Sequence, residues 1–222
     1  MKKIFILLSF LLTSNYIHSQ TLNEKIYETT CECFNTTENL DRLTSESCYD
    51  KSVSQYETEI RELIDEGSEI SIQEQAESLG YKIKSESFEY LIFNCEVYFN
   101  YMVDVKEKAF VNFKSSITLE KIDSINELIL KKRTLELLWE RGNYLFVNGE
   151  LERAEKDYLE CLDINPNYYP ASFFLGWLNE RKGNYDKAIE LYENLLDSTD
   201  MKAVKINLAI VKQKLKNRSK DN

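Results

Sequence analysis

"LELLWERGNYLFVNGELERAEKDYLECLDINPN", residues 135–167, is answered at an offset of 34 by "YPASFFLGWLNERKGNYDKAIELYENLLDSTD", residues 169–200. The match is positional: Gly142 pairs with Gly176, Gly149 with Gly183, Ala154 with Ala188, Tyr158 with Tyr192 and Cys161 with Leu195. Gly142 and Gly176 fall midway along a predicted first helix, where a side chain would hold a second helix away. Ala154 and Ala188 supply the facing small surface, so each unit predicts two closely crossing helices. Gly149 and Gly183 end the first helix of each unit in a conformation that other residues reach only with strain. "DINP", residues 163–166, closes the first unit because proline cannot continue a helix interior, and Asp200 stands at the corresponding place in the second.

This period and this small, small, aromatic spacing resemble the tetratricopeptide repeat. The resemblance implies two helix pairs, 135–168 and 169–202, and a groove along their first helices. The groove-facing places correspond to Trp139, Asn143, Phe146 and Val147 in the first repeat and to Phe173, Trp177, Glu180 and Arg181 in the second. It also implies a protein or peptide segment as ligand, with Trp139 and Trp177 as anchors and Asn143 and Arg181 as polar fixings. With one amide and one guanidinium, these places do not make a carboxylate clamp. The alternative is that another part of the chain packs over the same aromatics. Leu138, Leu145 and Leu175 are expected to face neighbouring helices. "MKAVKINLAIVKQKLK", from Met201, predicts a solvated capping helix with Ala203, Ile206, Ile210 and Leu215 on one side, and residues 218–222 form a flexible tail.

Two prolines and six glycines in 222 residues argue against a sheet-rich fold with many tight turns and predict an all-α chain. Before the repeats, residues 20–133 predict an irregular helical domain. A first helix carries Ile26, Thr30, Cys33 and Phe34. A second runs through "ESCYDKSVSQYETEIRELI" with Tyr49, Val53, Tyr56, Ile60 and Leu63 or Ile64 inward. A third, long and apolar, runs from Phe88 to Phe113, and a fourth carries Leu119, Ile122, Ile125 and Ile129. Fewer than three repeats are marginal alone, so something from this side must cover the face of Leu135 to Val147. A repeat domain with its cap is expected over 134–217.

The first residues place Lys2 and Lys3 before the apolar run Ile4 to Leu12 and a polar stretch, the layout of a secretory signal over 1–19, with cleavage after Ser19. The run is too short to span a bilayer, and no cysteine near the cleavage point can carry a lipid, so no stable membrane anchor is expected. The expected location is the periplasm or the outside of the cell, where cysteines oxidise. On a helix, residues two apart point about 200° from one another, so Cys31 and Cys33 should each bond elsewhere. Two pairings follow: Cys31 with Cys48 and Cys33 with Cys95, or the crossed arrangement. Cys161, matched by Leu195 in the repeat, is expected as a buried free thiol. "CECF", "SESC" and "LIFNC" also resemble small exported helical proteins of Bacteroidetes bacteria, which implies an envelope location and no particular activity.

Loss of residues 1–19 removes Lys2 and Lys3 and no carboxylate, moving the formal charge from −10 to −12. That balance repels nucleic acid. The sole histidine, His18, leaves with the signal, which removes the commonest general base and any Ser-His or Cys-His arrangement. The C-x-C spacing does not suit a zinc site, and "GNYLFVNGE" lacks the lysine and hydroxyl of a phosphate loop. The chain is therefore expected to be a non-catalytic adaptor without metal or cofactor, or a structural protein whose groove is internally covered. An enzyme with an unrecognised carboxylate site is the remaining alternative.

Overall fold

The computed structural model describes residues 21–117 and 122–220. The expected export signal, Leu119 and the last two residues of the expected tail lie outside the described residues. Among the described residues the chain is all-α.

The N-terminal helices begin where short polar side chains take up their free N–H groups. Helix α1 (Leu22–Thr36) and helix α2 (Arg42–Gln55) start with capping boxes, Thr21 with Glu24 and Asp41 with Thr44. The predicted second helix breaks at Tyr56 into α2 and a short α3 (Glu57–Arg61), and Leu63 points outward, 59% exposed. The predicted third helix is also two: α4 (Ile72–Asn94), started by Ser71 and Glu74, and α5 (Glu96–Ser116). Cys95 at the joint is extended, with φ −127° and ψ 101°, and its sulfur bonds to Cys31 of α1. That break lets α4 and α5 pack on each other and both pack on α1. The second disulfide joins Cys33 to Cys48, so the crossed pairing is the one formed; Cys161 is free and buried. Around the staples Ile26, Tyr27, Phe34, Tyr49, Ile83 and Leu91 form a core.

The repeats are α7 (Leu135–Val147) with α8 (Leu151–Ile164), and α9 (Tyr169–Arg181) with α10 (Tyr185–Leu196). A Cβ on Gly142 would lie 2.8 Å from Tyr158 Cε1, and one on Gly176 2.6 Å from Tyr192 Cε1. The close approach is thus against tyrosine rings; Ala154 and Ala188, expected as the facing surface, are fully buried beside them. Gly149 and Gly183 take φ of 81° and 77°, the left-handed conformation that their place after α7 and α9 requires. Leu138, Leu145 and Leu175 are buried as expected.

Both ends of the repeat pair are covered. Helix α6 (Ile122–Lys131) puts Ile125 and Ile129 into the core of α7 and α9, so by packing it goes with the repeats although it precedes residue 134. Helix α11 (Lys202–Arg218) departs from the one-sided cap expected of it. Val204, Leu208 and Val211 face α10, while Ala209 and Ile210 pack on Ile92 of α4 and Phe99 of α5. Ala203 is exposed. The helix is apolar on two sides because the stapled N-terminal helices dock against its outer face. From there α5, about 31 Å long at 1.5 Å per residue, runs back along the first helices of the repeats.

Candidate functional site

The face of α7 and α9 expected from the repeat spacing to take a ligand is covered by α5. Phe110 of α5 meets Phe146 and Trp177 edge-on, with ring centroids 5.4 and 5.8 Å apart. One turn further on, Phe113 packs against Phe174 at 5.2 Å. Phe146 and Trp177 also touch each other, and Phe174 joins them to Trp139 at 5.1 Å. Such offset and edge-to-face contacts suit the ring quadrupoles and add to the area buried.

Charged groups fasten the same helix. Lys106 pairs with Glu180, whose other oxygen accepts from Lys214 of α11 at 3.0 Å, so one carboxylate ties α5, α9 and α11 together. Lys106 also lies 5.5 Å from the centre of the Trp177 ring. Burial pushes the Lys106 amine down to about 8, against the opposing pull of Glu180. Arg181 stacks its guanidinium 3.9 Å over Phe110 and pairs with Glu107 at 3.1 Å.

Every groove residue read from the repeat register therefore has a partner within the chain. Phe146, Val147, Trp177 and Glu180 are buried. Trp139 is half-buried between Tyr158, Tyr168 and Phe174. Phe173 is half-buried against Tyr192 at 5.7 Å. Asn143 accepts a 2.9 Å hydrogen bond from the Tyr158 hydroxyl. Asn143 and Arg181, expected as fixings for a ligand, are thus already engaged. The sequence reading missed the other wall: Lys106, Phe110, Phe113 and Lys214. The signal for three of them is present, since 106, 110 and 113 follow the i, i+4, i+7 spacing of one helix face.

Cys161 donates weakly to the Leu135 carbonyl at 3.6 Å, and burial raises its thiol to about 11, which leaves little thiolate at neutral pH. Among the described residues no group of His, Cys, Asp and Glu side chains could hold a metal, and no helix is long and apolar enough to cross a membrane.

Residues 135–168 match the tetratricopeptide repeat family model, and residues 169–199 match a second model of the same repeat. No curated protein matches the chain. No solved structure matches it.

Proposed function

We propose that this chain is an exported, non-catalytic interaction scaffold: a tetratricopeptide pair whose groove is filled by its own helix α5 and which meets other proteins through its outer surfaces. The observation that carries this reading is Phe110 lodged between Phe146 and Trp177, the position a ligand's anchor would take. The repeats support a protein or peptide segment as the partner class. The export part rests on the lysines and apolar run at the start of the chain and on two disulfides, which suit an oxidising compartment.

A second reading has its own observation. In the groove the Lys106 side chain is buried but Phe110 and Phe113 are only half-buried, and a partner helix with a similar Lys-x-x-x-Phe-x-x-Phe face could take the place of α5. Trp177→Ala separates the two. In a self-filled scaffold it opens a cavity under Phe110 and costs about 3 to 5 kcal/mol in urea unfolding, while partners recovered by crosslinking from the native compartment are retained. Nearly unchanged stability with a sharp loss of those partners would instead identify the groove as the binding site.

A further inference from the structure

Outside the groove, positive side chains gather where α6, α7 and α8 meet. Two adjoining cavities there, of about 460 and 330 Å³, share Arg133 and Arg141. Arg141 is fixed by two hydrogen bonds, of 2.7 and 2.6 Å, to the buried carboxylate of Asp157. Arg133 pairs with Glu160, and Arg153 with Glu150. Lys131, Lys132 and Lys156, which complete the cationic lining, are in no close ion pair among the described residues. The result is a positive island on a chain whose formal charge is −10. Leu130, 88% exposed, stands at its rim.

The complementary surface is on the same chain. From Glu62 to Glu77 there are six carboxylates and neither lysine nor arginine. The loop between α3 and α4 is held in shape by Gln75, whose amide donates to the carbonyls of Asp65 and Ile70 at 2.9 Å and accepts from the Asp65 N–H at 3.0 Å. Glu62, Glu66 and Glu69 are exposed and outside every ion pair among the described residues. Between and beside them stand Leu63, Ile70 and Ile72, each more than half exposed. Carboxylates interleaved with apolar side chains thus answer cations beside an exposed leucine.

We propose that copies of this chain associate head to tail, the acidic loop at residues 62–70 of one copy seating on the basic cavities between α6 and α8 of the next. Unlike surfaces make this contact heterologous, so it leaves one free loop and one free cavity at the ends of any open assembly. Opposite charge steers the encounter and fixes its register, and the exposed leucines and isoleucines supply area that leaves water on contact.

The test uses the full disulfide-bonded chain in analytical ultracentrifugation. At low salt its average mass should rise with concentration, and salt at ~0.5 M should reverse this by screening exposed charge. Lys131→Gln with Lys132→Gln, and separately Glu62→Gln with Glu66→Gln, should each weaken association by about tenfold. All four positions are at the surface, and circular dichroism should show unchanged helicity in both variants. Mixed together, the two variants should form a dimer that grows no further, because each keeps the surface the other has lost. A wild-type chain that stays monomeric, including one whose basic cavities instead capture an acidic segment of another protein, overturns the proposal. So does association unaffected by either variant, or a mixture that fails to dimerise.

Discussion

Helices α7 to α10 pack by repetition, whereas α1, α2, α4 and α5 are held together by two cystines. In the repeats, a glycine in each first helix lets a tyrosine ring from the second lie against bare backbone, and the arrangement recurs with the register. In the N-terminal half no such register exists. Its core is a set of single contacts around Cys31–Cys95 and Cys33–Cys48, and few residues of α2 and α5 are fully buried. Repetition specifies geometry from local sequence, while a covalent link specifies it between segments that local sequence leaves undecided.

The largest expected effect breaks that contrast on the covalent side. Cys31 and Cys95 are 64 residues apart and Cys33 and Cys48 are 15 apart. Because a cross-link that closes a longer loop removes more freedom from the unfolded chain, Cys31→Ser with Cys95→Ser should cost about 4 kcal/mol and Cys33→Ser with Cys48→Ser about 3. Urea unfolding followed by circular dichroism measures both. If neither double substitution costs as much as about 1 kcal/mol, the N-terminal half holds itself together by packing and the contrast is lost.

One substitution tried in both halves gives a smaller effect, and its sign should differ. Gly80 in α4 has nothing within 4 Å of an added Cβ, whereas at Gly176 in α9 that atom would meet three carbons of the Tyr192 ring at 2.6 to 3.0 Å. Tyr192 is fully buried and cannot swing away. Gly80→Ala should therefore stabilise by up to about 1 kcal/mol through helix propensity alone. Gly176→Ala makes the same propensity gain but overpacks a core, which costs about 1 to 3 kcal/mol, so it should come out neutral to destabilising. Thermal unfolding of the two variants decides this, and equal stabilisation at both sites would mean the repeat glycine is not there for the close approach.

The same contrast governs what was legible in the sequence. The glycine and tyrosine spacing at 142, 149 and 158 and its echo at 176, 183 and 192 announced the helix pairs, because that packing is set within about thirty residues. The breaks at Tyr56 and Cys95 carry no proline and no glycine; at Cys95 the bend accompanies a bond to a sulfur far away in the chain. The two-sided burial of α11 was hidden for a related reason. The side that α4 and α5 cover, at Ile206 and Ile210, is the one the spacing marks, whereas Val204, Leu208 and Val211 show themselves as a second apolar side only when α10 lies against them. Likewise Lys106 and Glu180, 74 residues apart, look like two solvated charges until α5 is in the groove.

That pair gives the finest test, because α5 is where the stapled half and the repeats meet. Near neutral pH Lys106 is charged in both the folded and the unfolded chain and contributes no slope to stability. Its folded value is lowered to about 8 from the ordinary 10.5, chiefly by burial. Between those two values the unfolded chain holds a proton that the folded chain has released, so stability should rise with pH through that window. The buried tyrosines oppose it from about pH 10, where an exposed phenol ionises: Tyr27 and Tyr98 are pushed up to about 12, so above that point unfolding releases protons and stability falls. The expected profile therefore climbs from about 8 to about 10 and then declines. Lys106→Met should flatten the climb and leave the decline. Glu180→Gln should move its onset below 8, since the carboxylate is what holds the amine up against burial. Urea unfolding across pH 7 to 11, with an NMR titration of the Lys106 side chain, reads both. An amine that titrates near 10.5 in the folded protein would mean that Lys106 stays in water and that α5 is not seated in the groove.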